Sequence, residues 1–364
     1  MYHFIFSFLG LNGTDNTIMM LDPSDQEYIR KFSDLKKDNP TAKIMIALGG
    51  WKEGEQGAKY SNMVSTQDNR KTFIDSVVDL MTEYNLDGFD LDWEYPVQRK
   101  GRQEDKENFV LLCQELKAVF ITKGWELTAA VGVSQSTVDT SYDVKPLSNI
   151  LDAIHLMTYN LHSPWDGNTG LNTPYDEVEN AIKYWISRGA SSQKLVLGMA
   201  LYGHSFTLQN ENNNGMGAPS NGPGEAGPFT RQAGIMGYNE ICLKENWTFF
   251  PDANGPYAFK GNQWIAFDDR NSITMKASLV KKYDLGGGMV WSIEIDDFKG
   301  FCDGIKFPLL KAINRVLDDD SGEEKQKKSK STEETQNLFT RIFRKYWLNL
   351  SIFDFYNGVY GLLK

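Results

Sequence analysis

A parallel β-sheet covered by helices is the architecture this chain predicts, and three observations predict it. Short apolar stretches of strand length alternate with amphipathic stretches of helix length from the first residues onward. Repeated strand–helix units of this kind bury a sheet against helices. At 364 residues the chain can hold one large domain with a substantial core. Three carboxylates stand at the C-terminal end of one strand, which is where barrel enzymes carry their chemistry. The alternation itself leaves two forms open, a doubly wound sheet and a (β/α)8 TIM barrel.

The strand candidates are His3–Leu9, Lys43–Gly49, Gly88–Glu94, Leu127–Val133, Ala153–Tyr159, Leu195–Leu201 and Gly288–Ser292. Between them Phe73, Val77, Leu80, Met81 and Tyr84 fall on one helix face, as do Phe109, Leu112, Cys113 and Leu116. Cys113 therefore reads as a buried core thiol. A further helix is expected from Tyr175 to Arg188, stopped by Gly189. Residues 205–272 depart from the alternation. They are rich in Gly, Asn and Pro and then in aromatics, which suits a small α+β insertion between the last two strands. Residues 318–335 read as a charged low-complexity linker. Residues 336–364 form an aromatic, apolar tail to which no role is assigned, too interrupted by Asn and Asp for a transmembrane helix.

Composition excludes several classes of function. A net charge of −10 argues against a nucleic-acid partner, which would need clustered Lys and Arg. Three cysteines are too few for a disulfide scaffold, and no Cys or Cys/His spacing suggests zinc, so no metal or other cofactor is expected. No stretch reads as a secretory signal. Aromatics make up 13% of the chain, nine of them Trp, many in Gly-rich loops where rigid apolar faces suit flat ligands such as sugars. His204 reads as an exposed loop histidine, with contact to a ligand subsite as the lesser alternative. Asn12-Gly-Thr, Asn246-Trp-Thr and Asn349-Leu-Ser fit glycosylation acceptors.

The segment DGFDLDWEYP, Asp87 to Pro96, carries the chemistry. Residues i, i+2 and i+4 of a strand share a face, so Asp90, Asp92 and Glu94 line up while Phe89, Leu91 and Trp93 turn into apolar packing. Crowded acids raise one another's proton affinity. A Glu that keeps its proton near neutral pH is what a general acid needs.

This pattern resembles the signature of family-18 glycoside hydrolases, the chitinases and chitinase-like lectins, and is most similar to the animal secreted chitinases. His3–Gly10 looks like that family's second barrel strand. Ala47-Leu48-Gly49-Gly50-Trp51 resembles its third-strand motif, with Ala47 where Ser is common. Met157-Thr158-Tyr159-Asn160 resembles the sixth, and Tyr202–Phe206 and Gly287–Trp291 the seventh and eighth. The likeness covers about residues 1–317 and implies a TIM barrel lacking its first strand, because that strand would precede Met1. It also implies a disulfide between Cys242 and Cys302, an extracellular protein, a monomer, and chitin or chito-oligosaccharides as the ligand.

The activity so implied is endo-hydrolysis of β-1,4-linked N-acetylglucosamine with retention, the substrate's own acetamido oxygen attacking the anomeric carbon. Glu94 would act as acid and base, Asp92 would hold the acetamido N–H, and Asp90 would tune Asp92. Tyr159 would donate to the acetamido oxygen and Met157 would line the pocket. Trp291 and Phe8 would form the aromatic floor, and Trp51 and Tyr95 would extend the platform. Tyr238 is a further contact candidate. Asn160 replaces the usual Asp and removes a negative charge. The alternatives are a non-catalytic lectin on the same scaffold or an inactive shortened isoform.

Overall fold

The computed structural model describes residues 2–318 and 359–363, so the expected linker and most of the tail lie outside the described residues. Its strands, in chain order, are β1 (Tyr2–Asn12), β2 (Thr17–Met19), β3 (Lys43–Gly49), β4 (Gly88–Asp92), β5 (Glu126–Val131), β6 (Ala153–Leu156) and β7 (Leu195–Ala200). β8 (Tyr202–Leu208), β9 (Ser220–Pro223), β10 (Ile235–Gly237), β11 (Thr248–Phe250), β12 (Tyr257–Lys260) and β13 (Gln263–Ala266) follow. β14 (Gly287–Trp291) and β15 (Val359–Leu363) complete the set.

The main sheet runs in the order β15-β14-β7-β6-β5-β4-β3-β1-β2. Neighbours from β1 through β3, β4, β5, β6 and β7 to β14 are parallel, with helices such as Gln67–Glu83, Asp105–Lys123 and Tyr175–Ser187 in the connections. All seven strands expected from the apolar runs are present, and the open doubly wound alternative is excluded because the sheet closes. The position between β14 and β1, expected to be unfilled, is taken by β15. It runs antiparallel to both, with Tyr2 opposite Leu363 and Gly288 opposite that same residue. The fold is a (β/α)8-type barrel whose closing strand has reversed direction.

Two apolar layers follow from the strand period. Phe89, Leu91, Trp93, Phe109, Cys113 and their neighbours pack between sheet and helices, and Cys113 is fully buried as its helix face predicts. Inside the barrel lie Ile5, Met45, Ala47, Ala130, Val196 and Met289 from the parallel strands, with Met157 and Tyr159 from the segment just after β6. At the inward positions of β4 stand Asp90 and Asp92 instead. The helix-side layer makes the barrel stable. The inner layer leaves one sector polar.

A second, antiparallel sheet, β10-β8-β13-β12-β11 with β9 on β8, occupies residues 202–266. Cys242 and Cys302 are bonded, tying this sheet's short helix Tyr238–Ile241 to the segment beyond β14. His204 does not lie in an exposed loop. β8 carries it into the interior, 2% exposed, where its Nδ1–H donates to the His162 carbonyl at 2.7 Å and burial lowers its pKa. Among the described residues no helix is long and apolar enough to cross a membrane.

Candidate active site

Parallel strands send all their following loops to one mouth, so Trp51 after β3, Glu94 after β4, Tyr159 after β6 and Trp291 at the end of β14 share it. The strand carrying the acids ends at Asp92, not at Glu94 as the sequence pattern predicts. There the Asp92 carbonyl accepts from the Gly50 N–H at 2.9 Å, and the chain turns from the ladder. The glycine pair explains the approach. A Cβ on Gly49 (φ +122°) would sit 2.0 Å from the Asp92 carbonyl oxygen, and one on Gly50 (φ +84°) 2.6 Å from the Phe8 ring. Only at those two positions does the motif Ala47–Trp51 need glycine.

Asp90 lies opposite Ala47 on one side and Thr128 on the other. It is fully buried and accepts a short hydrogen bond from the Thr128 hydroxyl, while His155 Nδ1 stands 3.1 Å from its Oδ1. Asp92 is 5% exposed, and its Oδ1 is buried with no hydrogen-bond partner. Its pKa is pushed well up by burial, then by Glu94 and Asp90. Glu94 is 9% exposed, and its carboxyl rises from 4.5 to about 7. Burial is the largest cause of that rise. The Tyr95 hydroxyl, donating to the carboxylate, and the Arg99 guanidinium oppose it. Crowding of acids, the cause expected from the sequence, contributes at Asp92, and there only after desolvation.

The ring walls are close by. Phe8 and Trp291 stack with centroids 5.5 Å apart, and Tyr159 meets Tyr202 edge-on at 6.2 Å. Met157, Tyr159, Phe8, Trp291 and Tyr95 belong to one apolar cluster inside the barrel. Burial holds the Tyr159 hydroxyl well above its ordinary pKa, so it is a neutral donor. Asn160 is exposed in the left-handed region (φ 58°), where Asn is tolerated, and its Oδ1 accepts from the Tyr202 hydroxyl at 2.6 Å.

Two of the expected contact residues, the platform residue Tyr95 and the further candidate Tyr238, sit elsewhere. Tyr95 is half-buried and turned toward Glu94, which sets it beside the acid and not along an outer rim. Tyr238 is half-buried near Asp296 and Arg270, packed with the helix-side core and not with the inner cluster. Trp51 stands at the rim, 60% exposed.

Sequence reasoning passed over His155, Thr128, Arg99 and Trp165. His155 precedes Met157 and Tyr159 at two-residue spacing, so period two was the available signal. Thr128 needed the β4–β5 register. Trp165, 67% exposed in the Pro164–Asp166 turn after β6, stands at the same mouth as Glu94.

The family profile of Glycosyl hydrolases family 18 matches residues 1–296. Mouse Chitotriosidase-1 is 38% identical over 335 residues, covering 86% of this chain and 71% of that protein. Manduca sexta Endochitinase is 39% identical over 86% of this chain, which spans 62% of that protein's length. A crystal structure of Ostrinia furnacalis Group IV chitinase in complex with allosamidin superposes with a TM-score of 0.84 at 39% identity, covering 88% of this chain and 91% of that one. With the acid-bearing strand, its glycine pair and the ring-walled mouth all in place, this chain belongs to glycosyl hydrolases family 18.

Proposed function

We propose that the protein is a chitinase that cleaves β-1,4-linked N-acetylglucosamine polymers internally, with retention at the anomeric carbon. One observation carries the reading: a buried glutamic acid, its pKa raised to about 7, stands just past the end of β4 and close to Tyr159, which packs in one cluster with Trp291, Phe8 and Met157. A carboxyl with that affinity holds its proton at neutral pH and can give it to a leaving glycosidic oxygen. The acetamido oxygen of the bound sugar then attacks its own anomeric carbon, forming a cyclic oxazolinium as the glycosidic bond breaks. Glu94, now ionised, takes a proton from the water that opens the ring.

Asp92 meets the need for an N–H partner. Its unpartnered Oδ1 is a buried acceptor whose desolvation cost the acetamido N–H would offset. Asp90, held by Thr128 and facing His155, tunes Asp92 from below. Tyr159 donates its hydroxyl to the acetamido oxygen. Trp291 and Phe8 floor the reacting sugar, and Trp51 and Trp165 offer exposed indoles to the units beyond it. Asn160 contributes shape without charge. We further propose an extracellular, monomeric protein.

Incubating the purified chain with a chitotriose aglycone substrate and reading the anomer of the first product tests this. Release of the β-anomer supports the route. The α-anomer excludes it. Binding of chito-oligosaccharide without turnover by the unmutated chain assigns the lectin alternative instead.

A further inference from the structure

We infer that Arg99 is a positioning residue that holds the Trp51 indole as a fixed platform and so sets how strongly the site gains affinity with sugar-chain length. The inference rests on the proposed chitinase reading and adds a part to it.

The geometry is a clamp. The Arg99 guanidinium lies over the Trp51 ring, its central carbon 3.9 Å from the ring centroid. The same side chain's Nη1 donates to the Trp51 carbonyl at 2.8 Å and to the Glu94 carbonyl at 3.2 Å. One planar group therefore touches both the rim indole and the backbone of the acid. A guanidinium can stack and donate at once. An ammonium has no flat face to stack.

The surrounding chain is built to seat it. Val97, Arg99 and Lys100 have φ values of 72°, 48° and 73°, in the left-handed region that non-glycine residues enter only at a cost, Val97 most of all. A Cβ on Gly54 would lie 2.5 Å from Arg99 Nη1 and 2.4 Å from the Glu94 carbonyl oxygen, so the clamp needs glycine there.

Trp51 needs such a partner. At 60% exposure the indole has few walls, and an unclamped ring would lose rotamer freedom each time a sugar stacked on it. Arg99 occupies one face and leaves the other for the ligand. Preorganisation of this kind raises affinity without adding a contact to the sugar. The effect is confined to ligands long enough to reach the rim.

The test compares chitohexaose with chitobiose binding by calorimetry in the Glu94→Gln background, which prevents turnover. Arg99→Ala should weaken hexamer binding about threefold to tenfold more than dimer binding, the range of a cation–π contact. Arg99→Lys should restore less than half of that difference. In a chain already carrying Trp51→Ala, removing Arg99 should produce no further length-dependent loss. Equal losses for both ligands, full rescue by Lys, or additive effects of the two rim substitutions would overturn the inference. Melting curves accompany each variant, and Arg99→Lys serves if Arg99→Ala does not fold. A chain that binds neither ligand before Arg99 is changed removes the proposed function, whereas hexamer binding indifferent to Arg99 removes this inference alone.

Discussion

Glu94 and Trp51 open on the same mouth, yet one is 9% exposed and the other 60%. The contrast divides the labour of the cleft. At the floor, exclusion of water raises proton affinities and leaves the Asp92 Oδ1 without a partner, so each group there is costly until a substrate arrives. At the rim, water is free to enter and charges are screened, so recognition relies on flat apolar faces held in place. Substitutions at the floor should act on the chemical step. Substitutions at the rim should act on binding.

The largest effect falls on Glu94. Glu94→Gln keeps shape and burial but cannot transfer a proton, and should lower kcat by about 10²–10⁴-fold or more while oligosaccharide binding persists. In the unmutated protein, kcat/KM should fall as pH rises through about 7, because the acid loses the proton it must donate. A flat profile from pH 6 to 9 would move the acid's role elsewhere. Asp92→Asn comes next, at about 10²-fold in kcat, since an amide can still meet the acetamido N–H but cannot balance the cationic intermediate. If KM rises and kcat holds, Asp92 is a binding group only.

The rim is predicted to behave otherwise. Trp51→Ala should raise KM for long oligosaccharides about tenfold, the scale of one aromatic stacking contact, with kcat little changed. A kcat loss equal to that of Asp92→Asn would erase the distinction between floor and rim.

The same contrast explains what the sequence disclosed. Period two placed Asp90, Asp92 and Glu94 on one face and Trp93 on the other, and apolar runs located all seven parallel strands, because those signals are local. Partners across strands were not local. Thr128 faces Asp90 only through the β4–β5 register, and a Thr in mid-strand carries no mark of its own. Arg99 reaches back to Trp51 across a loop whose left-handed residues include Val97, a conformation no propensity would assign. β15 fills the barrel between β14 and β1 through pairings that span nearly the whole chain. Burial, finally, is a property of the assembled barrel. It is why desolvation leads the rise at both Glu94 and Asp92, a cause the motif does not display.

The smallest effect predicted is thermodynamic, and it ties the floor's chemistry to its cost. Burial raises Glu94 from 4.5 to about 7, so the folded chain holds this proton more tightly than the unfolded chain does. Below pH 4.5 both forms are protonated and Glu94 costs nothing. As pH rises from there through about 7, the unfolded chain releases the proton first, and the folded state loses stability. Asp92, raised for the same reason, adds in the same sense. Glu94→Gln does not titrate. Its melting temperature should therefore match that of the unmutated protein near pH 4, exceed it increasingly up to about pH 7, and stay a few degrees higher beyond. The rim supplies the control, since Trp51→Ala removes no titrating group and should shift Tm by the same amount at every pH. A Glu94→Gln curve parallel to that of the unmutated chain across this range would show the carboxyl to be hydrated, and with it the acid's raised affinity would go.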